Sequence, residues 1–129
     1  MNASERIELA KAYVALSNAH RLALILPMFA DQATYHSPHV GEFKGKAAIG
    51  EMMADFFSRF PDVHWNACEY TCKHWNACEY TCAAHAAVEF EFQMAATEAQ
   101  SGKKIERGGS ERIEFTDEGY ILRLEVRTP

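Results

Sequence analysis

The chain lacks a long apolar run, a basic cluster and a leader-like N-terminus. Its most apolar stretch, residues 22–30 (LALILPMFA), is shorter than the ~18 residues that span a bilayer and contains Pro27. No run of lysine and arginine occurs, and the formal net charge of -5 argues against a dedicated nucleic-acid surface. The first residues, MNASERIELAK, show no basic segment followed by an apolar one, so we expect no signal peptide. We therefore predict a cytoplasmic protein with no membrane or nucleic-acid partner, whose cysteines stay reduced.

The length of 129 residues suits one domain with a substantial core. Hydrophobic residues make up 48% of the chain and charged residues 24%, which is ordinary for a globular protein. We therefore predict that residues 1–129 form a single domain.

A perfect tandem repeat stands in the middle of the chain. Residues 64–72 read HWNACEYTC, residues 74–82 read the same, and Lys73 joins them. The two copies hold all four cysteines and both tryptophans of the protein. Because old duplicates drift, identical copies favour a recent or an engineered duplication, and one hypothesis is a variant made for the study of folding.

The repeat period of ten residues is even, so a strand shifted by one period keeps every side chain on its original face. One face would carry Trp65, Ala67, Glu69 and Thr71. The other would carry His64, Asn66, Cys68, Tyr70 and Cys72. Either copy could therefore fill the same place in a sheet. We expect the surplus copy to loop out at one end of the strand, which costs a modest closure entropy. The alternatives are a hairpin extended beyond the sheet and strand exchange between subunits.

The histidines and cysteines of the repeat are suitable zinc ligands by type, but their spacing is poor. His64, Cys68 and Cys72 stand four residues apart, which on a strand separates neighbours by ~13 Å. We therefore predict neither a metal site nor a cofactor. A disulfide would need Cys68 to meet Cys82, or Cys72 to meet Cys78, across a turn without glycine, and we do not favour it.

The order of elements predicts an α+β fold. Helical periodicity opens the chain, with Ser4 as the expected N-cap, and residues 46–60 give the clearest helix. Residues 86–96 alternate between apolar and polar types, which is typical of a half-buried strand. Two further strands are predicted at residues 105–115 and 120–127, after a polar loop at 97–104 and on either side of a TDEG turn. Helices followed by strands indicate the α+β class.

Three segments resemble the ketosteroid isomerase and SnoaL-like proteins of the nuclear transport factor 2-like superfamily. They are YVALSNA at residues 13–19, MFADQAT at 28–34 and GKAAI at 45–49. The resemblance covers nearly the whole chain, apart from one surplus repeat unit and a longer hairpin loop at residues 97–104. It implies a cone-shaped curled antiparallel sheet packed against three N-terminal helices, with a pocket inside. It also implies a homodimer formed through the sheet.

The same resemblance implies a set of site residues. The tyrosine and the protonated carboxylic acid that hold an oxyanion in ketosteroid isomerases fall on Tyr13 and Glu111. The aspartate base falls on Ser37, just before Pro38, and a serine hydroxyl is not a general base near neutral pH unless a partner activates it. Strand alternation turns His36 away from Ser37, whereas His39 could swing toward the pocket mouth as a replacement base.

Simpler interpretations stand beside these roles. Tyr13 could be a wall tyrosine, Glu111 part of a solvated strand face of alternating charges, and Ser37 a polar wall residue. The resemblance also implies a ligand-binding set, which apolar pattern alone would place simply in the core: Met53, Phe90, Met94 and Leu124.

The leading functional prediction is a pocket protein for a small hydrophobic ligand, such as a ring-bearing or carbonyl compound. Whether it is a ketosteroid isomerase-like enzyme stays open, because Ser37 occupies the position of the base. The alternative is a non-catalytic binding or dimerisation module.

Overall fold

A computed structural model describes the backbone of residues 2–78 and 83–129, and the side chains of residues 2–72 and 86–129. The helices are α1 (Ala3–Asn18), α2 (Leu22–Ile25) and α3 (Lys46–Arg59), with a 3-10 turn at Leu26–Met28 after α2. The strands are β1 (Phe29–Ser37), β2 (Gly41–Lys44), β3 (His64–Cys78), β4 (Ala83–Thr97), β5 (Lys104–Phe115) and β6 (Ile121–Arg127). The predicted α+β class is confirmed.

The six described strands form one curled, unclosed sheet in the order β2-β1-β6-β5-β4-β3. The pair β1 and β6 runs parallel, whereas every other pair is antiparallel. The sheet is therefore mixed rather than antiparallel throughout. The parallel pair arises because β1, which pairs with its sequence neighbour β2 along one edge, meets the last strand of the chain along the other.

The helix termini follow local chemistry with one correction. The N-cap of α1 is Asn2 and not Ser4: Asn2 Oδ1 accepts the Glu5 N–H at 2.8 Å, and Glu5 Oε1 accepts the Asn2 N–H at 3.3 Å. This reciprocal capping box stabilises the first turn more than Ser4 could. Pro27 lies in the 3-10 turn, which explains why α2 is short.

The core lies between the helices and the concave face of the sheet. Its largest fully buried side chains include Ile25, Phe29, Ile49, Ile113, Ile121 and Leu124. The predicted loop after β4 and the predicted turn between β5 and β6 are both confirmed. No helix in the described part of the chain has the length and apolar character to cross a membrane.

A β-bulge in β3 changes the predicted face assignment. Between Cys68 and Thr71, β3 carries one residue more than its partner β4, and Glu69 adopts a positive φ of 57° there. An extra residue reverses the alternation beyond it. The partly buried residues of β3 that pack against the core are therefore Trp65, Ala67, Tyr70 and Cys72. The predicted division of faces is wrong from the bulge onward, because simple alternation includes no bulge.

Both copies of the repeat enter β3, the second at least as far as Cys78. Lys73 pairs with Ala87 and Cys78 with Ala83, whereas β5 pairs with β4 only from Ala87 onward. The hairpin therefore continues beyond the rest of the sheet. The expected loop-out is wrong, because pairing with β4 satisfies backbone groups that a loop would leave to water. Residues 79–82, the end of the second copy, lie outside the described residues.

Candidate functional site

A cavity lies where α1 and α3 cover the concave face of the sheet. Its volume of about 70 Å³ compares with roughly 10–15 Å³ for one water on the same measure. The space therefore suits several waters or a compact organic ring. Its walls are mostly apolar and include Val14, Met53, Phe56, Trp65, Phe92 and Met94.

Two tyrosines and one carboxyl group face this apolar cavity from three different elements. Tyr13 comes from the buried face of α1, Tyr35 from β1 and Glu111 from β5. Burial raises the pKa of Tyr13 well above its usual value, and the nearby Tyr35 and Glu111 raise this pKa further. The pKa of Tyr35 is likewise raised, first by burial and then by Glu111. Both phenols therefore keep their protons and can act as hydrogen-bond donors.

Glu111 is an acid kept neutral by its surroundings. Its exposure is 8%, and burial raises the pKa of its carboxyl group from 4.5 to about 8. A charged carboxylate would lose water hydration inside the protein, so the protonated form is favoured near neutral pH. The interpretation of Glu111 as part of a solvated strand face is therefore wrong. Glu111 shares one face of β5 with the buried residues Ile113 and Phe115, and this face is turned inward.

Ser37, the residue on which the resemblance predicts the base position, lines the cavity and is 4% exposed. Ser37 Oγ accepts the His39 N–H at 3.2 Å, which fixes the turn after β1. His39 also lines the cavity, whereas His36 is exposed on the opposite face as alternation predicts. Burial lowers the pKa of His39, and the positive charge of Arg107 lowers it further, so the imidazole is neutral near pH 7.

The four predicted ligand-binding residues separate into two pairs. Met53 and Met94 line the cavity. Phe90 and Leu124 instead belong to the core, where they are 2% and 0% exposed, and they are not among the cavity-lining residues. The ring of Phe90 packs against Tyr70, with 4.8 Å between centroids.

Sequence reasoning did not assign several polar and aromatic groups to the cavity, and three of them are Tyr35, Arg107 and Trp65. Tyr35 stands two residues before Ser37, and Arg107 stands four before Glu111, so strand alternation from the predicted sites could have found both. Trp65 contributes the third, and its ring stacks on Phe56 at 6.0 Å between centroids. Its position follows from the packing of β3 against α1 and from the contact with Phe56 of α3, which no local sequence pattern predicts.

Among the side chains that the structure describes, those of the repeat form neither a metal-binding cluster nor a disulfide. Cys68 and Cys72 are free thiols, the first exposed and the second partly buried. No group of three His, Cys, Asp or Glu side chains converges within the side chains that the structure describes. The side chains of Cys78 and Cys82 lie outside the described residues.

Comparisons with known proteins agree with this architecture. The profile of the SnoaL-like domain family matches residues 10–124. An NTF2-like protein of unknown function from Exiguobacterium sp. 255-15 is 15% identical with a TM-score of 0.78, over 94% of this chain and 98% of that one. SalBIII, an epoxide hydrolase/cyclase-like enzyme in pyran ring formation of salinomycin, is 17% identical with a TM-score of 0.77, over 98% of this chain and 92% of that one.

A protein with a ketosteroid isomerase-like fold from Catenulispora acidiphila, solved with trimethylamine, is also similar. It is 15% identical with a TM-score of 0.70, over 92% of this chain and 83% of that one. A search of curated protein sequences finds no match. At these identities the structural likenesses show the fold alone. Because the family profile spans most of the chain, this protein belongs to the SnoaL-like domain family, and its fold is the nuclear transport factor 2-like, ketosteroid isomerase-like one.

Proposed function

We propose that the protein binds a small, largely apolar cyclic compound through a carbonyl or phenolic oxygen, which accepts hydrogen bonds from Tyr13 and protonated Glu111. One observation carries the proposal: an acid that burial keeps neutral faces an apolar cavity beside two tyrosines that also keep their protons.

The energetics favour a ligand with an acceptor at that end. In a cavity shielded from water, a ligand oxygen placed between the two donors would form stronger hydrogen bonds than it forms in bulk water. Ketosteroid isomerase itself uses a tyrosine and a neutral carboxylic acid in this way. The apolar walls, such as Phe56, Phe92 and Met94, suit the ring of the ligand.

Two structural neighbours fit this proposal. SalBIII is described as a cyclase-like enzyme of pyran ring formation, and the Catenulispora protein contains a small molecule, trimethylamine. Both statements concern those proteins. They support for this chain only the general idea that the cavity takes a small ligand. The pairing of two chains through the sheet stays a prediction.

A second candidate is a proton-transfer enzyme in which His39 replaces the missing carboxylate base. The observation that favours it is a neutral imidazole at the cavity wall, next to Ser37, where the base would stand. His39 would take a proton from the carbon beside the ligand carbonyl. Tyr13 and Glu111 would donate hydrogen bonds to the oxygen that becomes negative, and the proton would return to a neighbouring carbon.

The binding proposal is tested by isothermal titration calorimetry, in which 2-naphthol is titrated into the protein. We expect Tyr13→Phe and Glu111→Leu each to weaken binding about five- to tenfold, which is the effect of one lost hydrogen bond. Tyr120→Phe and Glu106→Leu change the same residue types at exposed positions and should leave the affinity unchanged. Equal affinity in all five proteins would reject the proposal.

The enzyme candidate is tested with 2-tetralone in D2O, where NMR monitors the exchange of the α-protons of the ketone for deuterium. If His39 is the base, His39→Gln abolishes the exchange that the unmodified protein catalyses. Ser37→Asp returns a carboxylate to the base position and should raise the rate. No exchange with the unmodified protein or with Ser37→Asp would favour the non-catalytic binding module.

A further inference from the structure

Arg107 occupies an unexpected place on the cavity wall. It lies on β5, directly across from Met94 on β4, and it shares the inward face of β5 with Gly109 and Glu111. Inward positions of a curled sheet around an apolar cavity normally carry apolar side chains. A partly buried guanidinium there calls for a physical explanation.

The charge of Arg107 has no described counter-ion. No ion pair found between described side chains includes it. Glu111 is not a counter-ion for Arg107, because burial raises the pKa of its carboxyl group to about 8 and the acid is neutral near pH 7. His39 is close enough to Arg107 for its pKa to be lowered by that charge, and it is neutral as well. Among the described residues that line the cavity, Arg107 is thus the one full charge near neutral pH.

The cavity therefore has two different polar ends. Arg107 and Glu111 stand four positions apart on one strand, which corresponds to ~13 Å along β5. Between them Gly109 carries no side chain, and the Phe92 ring lies against it, since a Cβ at Gly109 would stand 3.1 Å from Phe92 Cζ. The Phe92 ring thus lies between a cationic end and an uncharged hydrogen-bonding end.

We propose that Arg107 makes this cavity selective for cyclic compounds that carry a carboxylate at the end opposite their carbonyl or phenolic oxygen. The inference rests on the function proposed above and names the class of ligand. An arginine fork matches the two oxygens of a carboxylate, and a charge-assisted pair of this kind is stronger than a neutral hydrogen bond. The ligand anion would also supply the counter-charge that Arg107 lacks among the described side chains.

The experiment compares two probes that differ in one charge, 6-hydroxy-2-naphthoate and its primary amide, with 2-naphthol as the probe of the uncharged end. Dissociation constants are measured by calorimetry at neutral pH. We expect the naphthoate to bind about tenfold more tightly than the amide. Arg107→Gln should reduce that ratio to about one and leave the affinity for 2-naphthol unchanged. Arg107→Lys should keep part of the preference, because lysine holds the charge but not the planar fork.

The matched control is Arg123→Gln, which removes the same charge from an exposed position on β6. It should preserve the preference for the naphthoate. The role of Arg107 is overturned, and the proposed function is not, by either of two results. One is that Arg107→Gln still prefers the naphthoate to the amide as strongly as the unmodified protein does. The other is that the unmodified protein binds 2-naphthol but does not prefer the naphthoate to the amide. If Arg107→Gln does not fold, the graded loss in Arg107→Lys decides the question. Failure of the unmodified protein to bind any of the three probes overturns the proposed function together with this inference.

Discussion

The side chain of Asn18 forms hydrogen bonds with both the backbone N–H and the backbone carbonyl group of Trp65. Asn18 Nδ2 donates to the Trp65 carbonyl oxygen at 2.9 Å, and Asn18 Oδ1 accepts the Trp65 N–H at 2.8 Å. The end of α1 therefore fixes where β3 begins. Because both bonds go to the backbone, the contact does not depend on the identity of the strand residue. It would hold the second copy of the repeat equally well.

Replacement of Asn18 by alanine should destabilise the protein by about 1–3 kcal/mol, since two partly buried hydrogen bonds are lost and the Trp65 backbone groups lose their partners. The measurement is the free energy of unfolding from urea denaturation. Asn66→Ala is the control, because Asn66 is exposed on the other face of β3 and should change stability by less than ~0.5 kcal/mol. Equal losses in the two variants would contradict the role of the Asn18 contact.

Deletion of residues 64–73 should leave a folded protein with its cavity intact. The remaining copy then follows Val63 directly and supplies the same nine residues for the contacts of β3, including the two bonds to Asn18. The shorter chain loses only hairpin pairs beyond the end of β5. Circular dichroism, cooperative thermal unfolding and 2-naphthol binding check this prediction. A chain that does not fold would show that both copies are needed.

The repeat also predicts an unequal cost for one substitution. In the full chain, Trp65→Ala removes a ring that stacks on Phe56, but the second copy can shift by ten residues and bring an intact tryptophan to the same place. In the single-copy chain no replacement exists, and tryptophan to alanine should cost about 2 kcal/mol or more. We expect a clearly smaller loss in the full chain by urea denaturation. Identical losses would show that the strand cannot change register.

Glu111 should make stability fall as pH rises. In the unfolded chain this carboxyl group releases its proton near pH 4.5, whereas the folded protein retains it up to about 8. Between these values the unfolded state binds fewer protons, so the free energy of unfolding decreases by up to ~1.4 kcal/mol per pH unit. Glu111→Gln cannot ionise and should lack this slope. Urea denaturation of both proteins at about pH 5, 6.5 and 8 tests the difference, and parallel pH profiles would contradict it.

Two adjacent glycines on β5 should respond differently to alanine. A Cβ on Gly109 would press into the backbone carbonyl oxygen of Arg127 and lie 3.1 Å from the Phe92 ring. The three atoms nearest to a Cβ on Gly108 all belong to the end of the exposed Gln93 side chain, the first at 2.8 Å, and this end can move away. We expect Gly109→Ala to cost about 1–3 kcal/mol and to weaken 2-naphthol binding. Gly108→Ala should change neither quantity much, and similar effects of the two changes would contradict the packing argument.

The family resemblance, rather than local chemistry, predicted much of the site, and what sequence reasoning missed has physical causes. The resemblance placed Tyr13, Ser37 and Glu111, and the structure brings all three to one cavity. Alternation around Glu111 could also have indicated Arg107, because residues two and four apart on a strand share a face. Phe90 could not be assigned by such rules. Pocket and core positions look alike in a sequence, since both require large apolar side chains.

The sequence by itself determined the α+β class, the main helix and turns, and the presence of two identical segments, because these depend on local periodicity, turn residues and identity. Only the tertiary structure decided the mixed sheet, the bulge at Glu69 that turns Tyr70 and Cys72 toward the core, and the entry of both repeat copies into β3. It also decided that Glu111 is neutral, since the pKa of a carboxyl group depends on how completely distant segments exclude water from it.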